Sequence, residues 1–269
     1  MEASTSVIQG TFLRFANRVL KPLRLRIVTR ARWRSRAGHA ITQDAFFEAA
    51  CLSLLIGLDH LRIVQVGAND GKQGDPLWRV ANLHPKRIQL LLCEPQPEIA
   101  DELRRNYGNH PNVRVFAGAI GRPDSNLSLY RVKPEFWSMT NRNPTGFASF
   151  DKATITKNVQ GLRNRIDGSQ LDVERVIESK PVEVISLGLL LDRYPHLNPI
   201  DVLITDVEGL DAQIIRDSLN SQLLPKLILF ESKHVSEQEK TELTDFLSQL
   251  GYQLFELGGN SLAVCAPKG

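Results

Sequence analysis

The stretch Ile88-Gln89-Leu90-Leu91-Leu92-Cys93-Glu94-Pro95 constrains the fold more than any other part of this chain. Its first six residues include one polar side chain, so neither face of a strand built from them can stay in water. Strands of that kind belong to parallel sheets covered by helices on both faces. Residues 62–66 (RIVQV), 200–209 (IDVLITDVEG) and 226–232 (KLILFES) share the pattern, and 113–121 (VRVFAGAIG) reads as the third strand in chain order.

Helical signals fall between these runs. Phe46, Ala49, Ala50 and Leu54 recur at helical spacing ahead of the first strand. Asp75 before Pro76 is an N-cap with proline in the first turn. A helix opens at Pro97 and ends at Gly108, and others cover 187–194 and 210–219. Ser236 and Glu239 form a capping box, and Gly251 closes the helix they open. Residues 252–257 and 261–266, joined through Gly258-Gly259-Asn260, read as a terminal hairpin. The alternation predicts an α/β fold: a doubly wound, mostly parallel sheet with an antiparallel C-terminal hairpin. It lapses over 121–180, too long for a plain loop, which reads as an insertion covering the site. Residues 41–269 are thus expected to form one Rossmann-like domain.

Residues 1–40 differ in charge. They hold nine Lys or Arg and one acid, against 24 bases and 29 acids in the rest. Val7, Ile8, Phe12, Phe15 and Val19 fall loosely on one helical face, which favours an anionic membrane surface or a partner protein over nucleic acid. The competing reading is a solvated, partly disordered leader. No run approaches the roughly 20 apolar residues of a membrane span. Three cysteines, Cys51, Cys93 and Cys265, are too few and too scattered for a disulfide framework, so a reducing, cytoplasmic setting is expected.

In such a sheet ligands bind beyond the carboxyl ends of the strands. Those positions hold Gly67-Ala68-Asn69-Asp70-Gly71, Glu94, Ala119-Ile120, Asp206 with Glu208, and Glu231 with His234. A dinucleotide site wants Gly-x-Gly-x-x-Gly facing a pyrophosphate. Here the spacing is Gly67-x-x-x-Gly71, and Asp70 would set negative charge against a phosphate. S-adenosylmethionine, with a cationic sulfonium and ammonium, fits better. Glu94 ends the second strand, placed to accept both ribose hydroxyls.

The segments VQVGANDG, LLLCEPQPE, NVRVFAGAIG, IDVLITDVEG and LILFESKH, in that order, resemble the FkbM family of S-adenosylmethionine-dependent methyltransferases. The likeness runs from about residue 60 to the C-terminus and is most specific at Glu94-Pro95 and Asp206-Val207-Glu208-Gly209. It implies a seven-stranded class I methyltransferase fold. It also implies methyl transfer to hydroxyl groups, since the family's members largely act on sugars and polyketide-type products. Gln65 stands where many class I enzymes carry an acid, which leaves Asp70 or a backbone carbonyl for the cofactor's ammonium. The first 60 residues have no counterpart in the family pattern.

A hydroxyl acceptor needs a general base or a metal. Asp206, Glu208 and His234 are the catalytic candidates. Asp206 is alternatively a helix cap, Glu208 a surface ion pair, and His234 an exposed residue before the last long helix. Asp206, Glu208 and Glu231 offer oxygen ligands, but no tight spacing enforces a metal, and none is assigned. Phe136 and Trp137 either stack on a sugar or anchor the insertion; Trp78 reads as core, and His110 as solvent-facing. Two rival readings are an NAD(P)-dependent oxidoreductase and a non-catalytic binding module on the same fold.

Overall fold

The computed structural model describes residues 43–123, 128–139, 147–163, 173–207, 209–233 and 235–265. It divides into two compact units, residues 1–59 and 60–269. In the first, α1 (Gln43–Gly57) buries Phe47, Ala49, Cys51 and Leu55. Ala49 is buried as the sequence suggested, while Phe47, Cys51 and Leu55, spaced i, i+4, i+8, lie one residue beyond its other positions Phe46, Ala50 and Leu54. The run is apolar on both stripes, so periodicity fixed the helix and not its buried face.

The second unit is built on a seven-stranded sheet. Its strands are β1 (Leu61–Val66), β2 (Ile88–Cys93), β3 (Val113–Phe116), β9 (Val202–Thr205), β10 (Leu227–Glu231), β11 (Tyr252–Leu257) and β12 (Asn260–Cys265). The order is β11-β12-β10-β9-β1-β2-β3, with the hairpin β11–β12 antiparallel to the rest. After β3 the chain crosses back to place β9 beside β1, which makes the gap between them the switch point. Pairing sets Val66 against both Cys93 and Thr205, Cys93 against Phe116, and Thr205 against Phe230. The five parallel strands therefore end in one row, and whatever follows them lies along one edge.

Helices cover both faces. Between β1 and β3, α2 (Pro76–Leu83) buries Leu77, Val80 and Ala81, and α3 (Pro97–Asn106) buries Ile99, Ala100 and Leu103. The other face packs against α6 (Leu187–Arg193), α7 (Asp211–Ser218) and α8 (Glu237–Gln249) through Leu190, Ile215, Leu243 and Leu247. The caps are where the sequence puts them. Asp75 accepts the Leu77 amide at 2.7 Å, and Ser236 with Glu239 forms a complete capping box. Trp78 is half-buried, edge-on to Tyr107 with Lys72 above its ring. His110 is not simply solvent-facing: Nδ1 accepts the Asn112 amide, and Nε2 contacts the Ala81 carbonyl at 3.2 Å. No described helix is long and apolar enough to cross a membrane.

The third strand is shorter than its sequence suggests. It stops at Phe116, and the chain re-forms as β4 (Ala119–Ile120), paired in parallel with β8 (Val184–Ile185). Gly118 makes the break: a Cβ there would lie 2.5 Å from the Phe116 ring and 3.0 Å from the Glu183 carbonyl.

The described residues of the 121–180 segment are structured. They form a three-stranded sheet, β6 (Ala148–Ser149), β5 (Ser128–Val132) and β7 (Ile177–Pro181), with α4 (Lys152–Arg163) and the short α5 (Val173–Val176). Val132, Ile155, Val159, Val176 and Ile177 give it a small core of its own. Phe136 and Trp137 pack on that core, and the Trp137 indole donates to the Val132 carbonyl at 2.9 Å. They anchor the insertion.

Candidate active site

Two glycines shape the turn after β1. Gly67 has φ of +80°, and a Cβ on it would stand 2.0 Å from the Asp206 carbonyl oxygen. The ends of β1 and β9 thus meet where only bare backbone fits. Gly71, at φ of +66°, is pressed against Leu103 and Tyr107 in the same way. The amides of Gly67 and Ala68 both donate to the Cys93 carbonyl at 3.0 Å, tying the turn to the end of β2.

Glu94 follows directly and is 4% exposed. One carboxylate oxygen accepts the Asn69 amide at 3.0 Å, the other the Gln96 amide at 2.9 Å. Burial pushes its pKa up to about 7, against the pull of those amides, of the Gln96 side chain and of the Arg131 charge. The Gln96 side chain bonds the carboxylate as well, and two oxygens with about four acceptor sites keep capacity beyond these partners.

Around Glu94 lies a cleft of about 130 Å³. Gly67, Asn69, Pro95, Gln96, Asp206 and Val207 line it from the sheet edge; Leu129, Ala148, Ser149 and Phe150 line it from the insertion. Ser149 and Phe150 also line a second cavity of about 710 Å³, which reaches Ile120, Gly121, Val184, Leu210 and Ile214. The first volume alone is below the ~300 Å³ that sites for ligands of cofactor size occupy, and the two together exceed it.

The sequence candidates divide accordingly. Gly67, Asn69, Glu94 and Asp206 line the cleft, and Ile120 lines the larger cavity. Ala68 and Ala119 are buried, the latter with its amide on the Glu183 carbonyl. The Asp70 carboxylate faces its own loop, where Oδ1 accepts the Lys72 and Gln73 amides at 3.0 Å. Gln65 is likewise turned away, donating to Asp75 at 3.3 Å. Glu208 and His234 lie outside the described residues.

Asp206 is exposed at the end of β9, its amide held by the Val66 carbonyl at 3.0 Å. Behind it Asp211 is fully buried and takes the Val207 amide. Burial raises Asp211 to about pKa 6, and the charge of Glu231 adds to the shift. Glu231 is buried and ion-paired with Lys233. Among the described residues no three His, Cys, Asp or Glu side chains gather as a metal site needs. The sequence did not point to Asp211, which sits inside a helical pattern, nor to Leu129, Ala148 and Phe150. Those three stand 35 or more positions beyond Glu94, and only the folded insertion brings them to it.

A sheet in this strand order, with a glycine turn after β1 and a buried acid closing β2, is a class I methyltransferase fold. The chain belongs to the FkbM methyltransferase family: the model of the methyltransferase FkbM domain matches residues 65–254. The protein is accordingly a methyltransferase that uses S-adenosylmethionine. No curated protein matches the chain in sequence.

Solved structures similar in fold include a precorrin-6y C5,15-methyltransferase from Geobacter metallireducens, 14% identical with a TM-score of 0.39, covering 85% of this chain and 90% of that one. The fibrillarin pre-rRNA processing protein of Methanococcus jannaschii is 12% identical, with a TM-score of 0.38 and coverage of 77% and 67%. Aeropyrum pernix fibrillarin, solved with natively bound S-adenosyl-L-methionine, is also 12% identical at a TM-score of 0.38, covering 79% and 72%. Likenesses this distant carry no argument about acceptor or mechanism.

The site residues fit the cofactor on their own chemistry. Glu94 is a buried acceptor with capacity left for the two ribose hydroxyls, and Gly67 leaves the backbone bare beside it. Asn69, Pro95, Gln96 and Ile120 would complete the holding surface.

Proposed function

We propose that the protein methylates a hydroxyl oxygen of a sugar, a glycan or a glycosylated metabolite. The observation that carries this reading is the placement of Asp206, an exposed carboxylate on the same cleft wall as Gly67 and Glu94. Bound S-adenosylmethionine supplies a methyl group activated on a sulfonium for in-line displacement. The chain has to orient the acceptor and remove its proton, because a neutral hydroxyl is a poor nucleophile. Asp206 takes that proton, with Glu208 and His234 proposed as its helpers. Resemblance to a family acting largely on hydroxyls supports oxygen over carbon. The test is transfer of labelled methyl from S-adenosylmethionine to a panel of glycans and glycolipids. The expected product is an ether, stable to mild alkali; label fixed on carbon, or released as an ester, overturns the reading.

We further propose that the protein works in the cytoplasm, with residues 1–40 resting on anionic membrane rather than nucleic acid. Their nine bases and apolar face support this. Truncation before Ile41 is expected to preserve cofactor binding and abolish co-sedimentation with anionic vesicles. A full-length chain that leaves such vesicles unbound returns the arm to a solvated leader.

A further inference from the structure

The side chain of Arg131, on β5, is 2% exposed. A guanidinium so deeply buried is tolerated only when its charge and its donors are met. Its Nε donates to Glu178 Oε1 at 2.8 Å, and Glu178 sits directly opposite on β7, so this bond stays inside the insertion. The other two nitrogens grip both oxygens of Glu98, Nη2 to Oε1 at 3.0 Å. Glu98 belongs to α3, whose first turn follows Glu94-Pro95-Gln96. That fork ties the insertion to the element beside the cofactor cleft.

What hangs on β5 is the cleft's roof. Arg131 is paired with Ala148 and Tyr130 with Ser149, so the edge strand β6 follows Arg131. Ser149 and Phe150 line both the 130 Å³ cleft and the 710 Å³ cavity. A molecule anchored on Glu94 and reaching Ile120 has to occupy space those two residues border. β6 therefore borders any such molecule, and how firmly β6 is held bears on how that molecule enters and leaves. Glu98, 46% exposed, is the half of the pair that solvent can reach.

We propose that the insertion is a lid over the cofactor, that Arg131 and Glu98 are its latch, and that Arg131 is thereby a positioning residue for S-adenosylmethionine. The inference rests on the cofactor lying in this cleft. Because the Arg131 hydrogen bonds hold the Glu98 carboxyl down to about pKa 2, the latch stays charged at any working pH. With Glu98 neutralised, Glu178 still compensates Arg131, so the lid loosens without leaving a bare buried charge.

The test is surface-plasmon or stopped-flow kinetics of S-adenosylmethionine on the full chain. Glu98→Gln is expected to raise the off-rate about tenfold or more while the on-rate holds or rises, since entry and escape both ease. Arg131→Lys, which keeps the charge and loses the fork, should fall between it and wild type. Glu174→Gln, which breaks the exposed Lys152–Glu174 pair within the same insertion, should change neither rate. Wild-type rates in Glu98→Gln sink the latch. So does a slower on-rate with a matching fall in melting temperature, the mark of general damage. A wild-type chain that takes up no S-adenosylmethionine overturns the cofactor site and the latch together.

Discussion

Asp206→Asn is expected to leave S-adenosylmethionine affinity nearly unchanged while methyl transfer falls by about 10²-fold or more, the usual scale for loss of a general base. The backbone at this position is held by contacts of its own. Its amide bonds the Val66 carbonyl at 3.0 Å, and its own carbonyl abuts Gly67. The isosteric amide therefore keeps the shape of the strand end and loses the basic oxygen. A capping role for Asp206 predicts something else: a lower melting temperature, with binding and turnover lost in proportion. The fold already speaks against that role, because α7 has Leu210 at its N-cap and the Val207 amide goes to Asp211. Calorimetric titration with the cofactor, beside transfer of labelled methyl, separates the outcomes. Wild-type turnover in the variant would take Asp206 out of that role, and wild-type turnover in Glu208→Gln as well would remove the base from this edge. Persistence of wild-type transfer in chelator is the companion expectation, since proton removal by Asp206 calls for no metal.

The strands and caps could be read in the sequence because they rest on local chemistry. Ile88–Cys93 has no wet face wherever it is placed, and Asp75-Pro76 or Ser236 with Glu239 needs only the next turn of helix to act. Glu94 and Gly67 were legible for a related reason: a parallel sheet presents the residues after its strands along one edge. Contacts decided by the fold of the insertion were not legible. Arg131 meets partners 33 positions before it and 47 after it, and nothing near it in sequence marks it for burial. Ile155 and Val159, four apart, form the buried side of α4, but the polar residues around them hid that spacing. Asp70 was misleading in an instructive way. An acid in a glycine turn suits a cationic ligand, yet an aspartate can also satisfy the amides two and three residues on, and here it does.

Glu94 should show opposite pH dependences in folding and in binding. Its folded pKa is raised from 4.5 to about 7 by burial, so the folded chain holds this proton more tightly than the unfolded chain. The associated stability is complete below about pH 4.5 and is lost as pH rises to about 7, some 3 kcal/mol in all. Cofactor binding runs the other way, because ribose hydroxyls donate to the carboxylate and a protonated acid accepts them less well. Affinity should rise with pH to a plateau above about 7 and fall roughly tenfold per unit well below it. Glu94→Gln removes both dependences. At about pH 8 it should bind S-adenosylmethionine roughly 10- to 150-fold more weakly, the worth of charge-assisted hydrogen bonds at about 1.5–3 kcal/mol. By about pH 6 the gap narrows, since the wild type has by then lost about tenfold of its own affinity. Thermal melts of the cofactor-free protein across the same range should show the variant lacking the wild type's decline between about pH 4.5 and 7. The two measurements guard each other. A flat melting difference with the expected binding change would mean that Glu94 is ionised throughout and holds the ribose without a burial cost. Parallel binding profiles with equal affinity at about pH 8 would take Glu94 out of the cofactor site, and the cleft built around it would lose its anchor.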